Sequence, residues 1–298
     1  MNLQTYLQER KAMVDEALAG ILPERTSYPQ VIYDAMRYSI FAGGKRLRPI
    51  LCLAGAEALG REVKPLLPVA CSLELIHTYS LIHDDLPAMD NDDYRRGKPT
   101  NHKIFGEGIA VLAGDALLTL AFEVLATYGS REEEGIAPGT VLKVIQEIAV
   151  AAGVKGMIGG QVADLQAEGK SIDAQTLVFI HTNKTGALFT ASIRAGALLS
   201  GAAEHELAAL TGYARDFGLA FQITDDLLDI TGDENKLGKA VGSDLKKEKS
   251  TYPALYGLEK SRDLALEAVE RAVGSLQTLR GDTRPLEWLA RFLLEREA

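Results

Sequence analysis

Two stretches of this chain crowd acidic side chains onto apolar helical pattern. In the first, Leu81-Ile82-His83-Asp84-Asp85-Leu86-Pro87-Ala88-Met89-Asp90-Asn91-Asp92-Asp93, five carboxylates fall within ten residues. Carboxylates so close repel one another, so they imply bound cations, shifted pKa values or open water. The second, Phe221-Gln222-Ile223-Thr224-Asp225-Asp226-Leu227-Leu228-Asp229, sets Asp225 and Asp229 four positions apart. That spacing is about 40° around and about 6 Å along one helix face, enough for two carboxylates to grip a metal from one side. Hard oxygen donors without a Cys/His set suit Mg²⁺, which takes one or two carboxylates and completes its shell with water and phosphate oxygens. A solvated acidic helix end is the other reading of either cluster alone. An EF-hand is excluded, because neither stretch has acids at alternate positions, a central Gly and a closing Glu.

A phosphate ester that completes such a shell needs positive charge elsewhere. Gly43-Gly44-Lys45-Arg46-Leu47-Arg48-Pro49 puts Lys45 and Arg48 three apart, on one side of a helical turn, as a clamp for a phosphate or as a solvated basic turn. It is no P-loop, since Arg46 follows the lysine and Ser39 stands where the first glycine belongs. Arg95-Arg96-Gly97-Lys98-Pro99-Thr100 follows the first acidic cluster directly and can complete a mixed metal and guanidinium cradle. Further on lie His181-Thr182-Asn183-Lys184-Thr185-Gly186 and a stretch, Gly232 to Ser250, carrying Lys236, Lys239, Lys246, Lys247 and Lys249. Some of these lysines are simply solvated; together they read as a basic lid. His77 lies seven residues before Asp84, near the same helical stripe, as a neutral hydrogen-bond donor or as a satisfied core histidine.

Helices must position these groups. Apolar residues recur at three- and four-residue spacing in segments that include 3–19, 30–42, 48–59, 66–86, 109–127, 140–152, 174–198, 204–230 and 262–278. Hairpin patterning is scarce, and Gly, Pro and charge break the pattern at 22–28, 60–68, 87–100, 128–138, 169–173, 201 and 232–250. The expectation is an all-α fold of about ten or more helices. Pro87 clashes with the carbonyl of His83, so the helix should end just after the Asp pair and let Asp90 fold back towards Asp84.

The 298 residues show no linker or composition break and read as a single domain, 1–298. A formal charge of −9 argues against nucleic acid as a partner. Cys52 and Cys71 sit in apolar runs without metal spacing, which fits inert core thiols and a reduced, cytoplasmic compartment. The N-terminal stretch mixes acids and bases, and the longest apolar runs are broken by Asp115 and Arg194, so neither export nor a membrane span is expected.

Taken in order over residues 43 to 253, the motifs resemble those of the trans-isoprenyl diphosphate synthases. They are Gly-Gly-Lys-Arg-Leu-Arg-Pro, Asp84-Asp85-x4-Asp90 with Arg95-Arg96-Gly97, and Asp225-Asp226-x2-Asp229. The four residues Leu86-Pro87-Ala88-Met89 and the stretch Lys249-Ser250-Thr251-Tyr252-Pro253 are most similar to the bacterial farnesyl-type branch. The resemblance implies one large helical bundle with a deep central cavity, a homodimer, and three Mg²⁺ ions per active site. By motif, Asp84, Asp90 and Asp225 would be the principal metal ligands, with Asp85 and Asp229 supporting. Arg95, Lys184, Gln222, Lys239 and Lys249 would hold the allylic diphosphate, and Lys45, Arg48, His77 and Arg96 isopentenyl diphosphate.

The chemistry so implied is ionisation, condensation and elimination. The isopentenyl double bond attacks an allylic cation, Lys184, Thr185 and Gln222 serve catalysis, and released diphosphate takes the proton. Chain length in this family depends on an apolar tunnel below the first motif, and Tyr79 with Ser80, five and four residues before Asp84, resembles the farnesyl-type floor. Ideal helix geometry sets Tyr79 about 140° around from Asp84, so spacing alone does not put its ring in a tunnel. Geranylgeranyl diphosphate synthesis is the alternative. A terpene cyclase fits less well, because its second metal motif is wider and carries Ser/Thr and Glu, and it lacks the second diphosphate clamp. A non-catalytic subunit would show degraded motifs, and these are complete.

Overall fold

The computed structural model describes residues 2–22, 28–130, 136–170, 172–231 and 251–295. Within them the chain is helical almost throughout. In order come α1 (Leu3–Ile21), α2 (Gln30–Ile40), α3 (Leu47–Glu57), α4 (Leu67–Asp84), α5 (Asn101–Phe105), α6 (Glu107–Gly129) and α7 (Pro138–Ala152). They are followed by α8 (Met157–Ala167), α9 (Ala174–His181), α10 (Ala187–Leu199), α11 (Glu204–Thr231), α12 (Tyr252–Tyr256), α13 (Leu258–Ser275) and α14 (Arg284–Glu295). The all-α expectation holds.

Local chemistry sets the ends. Asn2 caps α1 by accepting from Thr5 N at 2.9 Å, and Asp173 caps α9 by accepting from Thr176 N at 2.8 Å. Glu206 folds back on Ala203 N at the start of α11, where its charge also meets the positive end of the helix dipole. The pattern at 174–198 is interrupted: a π-helical turn, Thr182–Gly186, separates α9 from α10. A small antiparallel hairpin, β1 (Tyr94–Arg95) with β2 (Lys98–Pro99), stands where the sequence suggests only a break. Its two-residue turn is Arg96 at φ 55° and Gly97 at φ 73°, the left-handed pair that such tight hairpins need.

The chain forms two compact units, Met1–Ile50 with Lys64–Ile145 and Leu51–Val63 with Gln146–Ala298. In the first, α1, α2 and α6 pack on α4, and α5 packs on α2 and α6. Eleven of the 18 residues of α4 are buried, which makes it the core helix of its unit. In the second, α11 is central, with α10, α12, α13 and α14 against it. Phe189, Tyr213, Phe217 and Phe221 form an aromatic cluster there with centroids 5.1 to 6.4 Å apart. The buried Tyr213 hydroxyl donates to Leu286 O at 2.7 Å, which ties α14 to α11.

Two stretches, Lys64–Asp84 and Glu107–Gly129, are long and apolar enough to cross a membrane by length and composition; the first is 67% buried within the protein and the second 33%.

Candidate active site

In the first unit α4 ends at Asp84, and the chain folds back as Pro87 requires: Asp90 N donates to Asp84 O at 2.8 Å and Asn91 N to Leu86 O at 3.1 Å. Asn91 takes the left-handed conformation that closes this loop, φ 52°. Asp84 and Asp90 are thereby brought to one place, both half-buried. Asp85 is different. It is buried to 3% exposure, and its Oδ1 accepts from Arg95 Nε at 2.7 Å and Nη2 at 2.5 Å. Burial pushes the Asp85 carboxyl above its ordinary range against the pull of Arg95.

The cation groups of this unit gather around α4. Lys45 and Arg48 do not share a helical turn, because α3 begins at Leu47 and Arg46 between them is left-handed, φ 52°. Lys45 is exposed, whereas Arg48 lies in the first turn of α3, where burial pulls its guanidinium down to about 10. Arg96 donates through Nη1 to Gly43 O and lies so close over Gly44 that a Cβ there would meet Nη1 at 2.5 Å. It is the backbone, at φ 130°, that asks for glycine here, and the absence of a side chain lets the guanidinium lie close. Burial, and then the charges of Arg48, Arg96, Arg95 and Arg46, hold His77 well below the ordinary histidine range, so it is neutral at pH 7. Two residues on, Tyr79 is 6% exposed and edge-on to His83 at 5.7 Å, and Ser80 donates its hydroxyl to His77 O at 2.9 Å.

The second unit holds a polar cavity of about 230 Å³, lined among others by Asp164, His181, Lys184, Thr185, Gln222, Asp225 and Asp226. The sequence spacing points to Asp225 and Asp229 as one face. The cavity is instead met by Gln222, Asp225 and Asp226, while Asp229, about 6 Å further along α11, is buried at 1% and does not line it. Asp226 accepts from Tyr252 N at 2.9 Å, which fastens α12 to α11. The π turn carries one extra residue per turn and so brings His181, Lys184 and Thr185 together on the cavity side.

Helix α8 seats that turn twice. Asp164 accepts from Lys184 Nζ at 2.6 Å, and Gly160 lies directly against the Lys184 backbone, where any Cβ would overlap it. Burial pushes the His181 imidazole down to about 4, so it too is neutral; its Nδ1 is buried without a hydrogen-bond partner among the described residues. Asp164, Asp226 and His181 are cavity groups that spacing does not reveal, nor does it reveal the contact of Gly160 with the Lys184 backbone. Helix α8 lies between the periodic segments 140–152 and 174–198, where apolar spacing marks no element. Lys236, Lys239, Lys246, Lys247 and Lys249 lie outside the described residues.

The donor chemistry fits Mg²⁺. Among the described residues no three or more His, Cys, Asp or Glu form a closed metal cage. What the chain offers is carboxylate oxygen alone, Asp84 with Asp90 in one unit and Asp225 in the other, which suits an ion that leaves most of its shell to water and phosphate.

Residues 29–281 match the polyprenyl synthetase family. The chain is 50% identical to a geranylgeranyl diphosphate synthase of Cyanophora paradoxa over 99% of its own length and 97% of that protein's. It is 46% identical to a farnesyl diphosphate synthase of Geobacillus stearothermophilus over 100% and 99%. Its fold superposes on the crystal structure of an FPP/GFPP synthase from Zymomonas mobilis with a TM-score of 0.86 at 39% identity, covering 98% of each chain.

Proposed function

Given that this chain belongs to the polyprenyl synthetase family and is a prenyltransferase, a trans-prenyl diphosphate synthase, we propose that its product is farnesyl diphosphate. It joins isopentenyl diphosphate to dimethylallyl and then geranyl diphosphate, with Mg²⁺. The observation that carries the reading is the 230 Å³ cavity in which Lys184, Thr185, Gln222 and Asp225 converge: one cation, two neutral dipoles and a metal-type carboxylate around a space of diphosphate size.

Asp84 and Asp90 would hold Mg²⁺ in the first unit and Asp225 in the second. Bound there, Mg²⁺ supplies Lewis-acid neutralisation of the departing diphosphate. Lys184, steadied by Asp164, adds its ammonium to that neutralisation as the allylic C–O bond breaks. The Thr185 hydroxyl and Gln222 amide turn their oxygen dipoles to the allylic cation. Lys45, Arg48 and Arg96 hold the diphosphate of isopentenyl diphosphate, and neutral His77 adds a hydrogen bond without competing as a charge. The isopentenyl double bond then forms the new C–C bond, and the proton lost passes to the released diphosphate, so no side-chain base is needed.

Tyr79 supports the fifteen-carbon product, since a buried ring five residues before Asp84 would shorten a chain site running below the first motif. A twenty-carbon product is the second reading, favoured by the relative named for it at 50% identity. We read the protein as a cytoplasmic homodimer, with its thiols buried and the apolar face of α6, where Leu112 is 55% exposed, covered by a second copy. Incubation with dimethylallyl and isopentenyl diphosphates, with and without Mg²⁺, followed by dephosphorylation, tests the reaction. Mg²⁺-dependent farnesol is expected; geranylgeraniol as main product would overturn the chain length, and equal turnover in chelator would overturn the metal.

A further inference from the structure

Arg46 belongs to the basic motif, yet it points inward and is 3% exposed. Its Nε meets Asp15 Oδ1 at 2.7 Å, its Nη1 meets Glu74 Oε1 at 2.8 Å, and its Nη2 meets Ile40 O at 2.6 Å. These partners come from α1, α4 and the end of α2, so the guanidinium is fixed from three sides.

Glu74 sits in the middle of α4 at 1% exposure. Its second oxygen, Oε2, is buried with no hydrogen-bond partner among the described residues. A carboxylate sealed from water must be matched by a cation, and removing that cation leaves a charge that recruits another. Glu74's charge already acts on Arg48 and Arg96, stabilising the protonated form of each. His77, three residues on, cannot serve, because four guanidiniums and its burial keep it neutral.

We infer that Arg46 is a positioning residue whose task is to hold Glu74, so that this buried carboxylate does not capture the guanidiniums of Arg48 and Arg96 needed for substrate. The inference rests on the reading of Lys45, Arg48 and Arg96 as the isopentenyl diphosphate clamp. Arg46 itself touches no substrate; it acts through the acid it occupies. Loss of Arg46 therefore weakens the clamp by redirecting its cations towards Glu74, and loss of Glu74 at the same time removes the competitor.

Steady-state kinetics of the full-length enzyme decide it. Arg46→Met should raise KM for isopentenyl diphosphate about tenfold, the scale of one disturbed charged contact, with KM for the allylic substrate unchanged. Arg46→Met/Glu74→Gln should return it to within about threefold of the parent, as expected for coupled neighbours. Arg46→Met/Asp15→Asn restores the same net charge but leaves Glu74 in place, and should stay impaired. Equal impairment of both double variants, or equal rescue, overturns the inference. Should Arg46→Met melt too early to assay, Arg46→Lys keeps a cation beside Glu74 and is expected to retain the parent KM despite a lower melting temperature; a tenfold rise there also overturns it. Arg48→Met separates the two readings, because an unchanged KM in that variant sinks the clamp itself.

Discussion

Asp85 and Arg95 form a charge pair at the end of α4, with both Arg95 Nε and Nη2 on one oxygen of a carboxylate that is only 3% exposed. The neighbouring Asp84 is half-buried and joined through its carbonyl to Asp90. Two adjacent acids thus have different tasks: Asp85 fastens the β1–β2 hairpin to α4, and Asp84 is the one proposed above to hold Mg²⁺. Asp85→Ala is expected to cost about 2 kcal/mol of stability, below the about 3–5 of a fully buried pair because Arg95 remains 31% exposed. Asp84→Ala should leave stability nearly unchanged, since it also relieves crowding, while turnover falls about a thousandfold. Chemical denaturation and kcat of the two variants check this; equal losses of stability would refute the division of labour.

Gly160 has no room for a side chain, because a Cβ would overlap the backbone at Lys184. Gly160→Ala should push the π turn away from α8, stretch the 2.6 Å Lys184–Asp164 contact, and lower kcat by about a hundredfold. Its stability cost should be about 1–3 kcal/mol, the range for overpacking. An alanine variant with parental kcat would mean that α8 does not set the position of Lys184.

The close of the first motif is legible because its cause is local: Pro87 stops α4 three residues earlier, and the return to Asp90 follows. The spacing of Lys45 and Arg48 misleads because Arg46 is left-handed, with its guanidinium held by Asp15 and Glu74 far away in sequence and by the nearby Ile40 carbonyl. The face of Lys184 and Thr185 is hidden for a related reason, since a π turn shifts every residue after it relative to a regular helix. Helix α8 is not picked out by apolar spacing, and Gly159 with Gly160 lowers its helix propensity; the glycine at 160 lies against the Lys184 backbone. Only packing reveals that Asp226, and not Asp229, shares the cavity with Asp225.

His181 gives stability a pH dependence. Its folded pKa lies near 4 because of burial, against 6.5 in the unfolded chain. Between these values the unfolded chain binds a proton that the folded protein refuses, so stability is full above about 6.5 and falls as pH drops towards 4. From pH 7.5 to 5 the loss through this group is about 2 kcal/mol, and His77, displaced in the same direction, adds to it. His181→Gln should flatten its share of that slope when unfolding free energies are measured in chelator at both pH values. An unchanged slope would remove His181 as a cause.

Tyr79 is held by packing from α6 through His83, whose ring it meets edge-on at 5.7 Å and whose Nε2 lies 3.0 Å from Val111 O. On the α6 side the His83 ring rests on Gly114, where a Cβ would overlap it, so the ring has no room to retreat that way. Burial, with Asp84 nearby, pushes the Tyr79 phenol up to about 12, so it stays neutral and apolar in character. Tyr79→Ala removes a buried ring, which is expected to cost about 3–5 kcal/mol and to leave a cavity. That cavity should admit another isoprene unit, so the main prenol after dephosphorylation shifts from fifteen carbons to twenty or more. Tyr79→Phe keeps the volume and should keep the fifteen-carbon product. A folded alanine variant with unchanged chain length would take Tyr79 out of the account, and the floor of the chain site would then have to lie elsewhere.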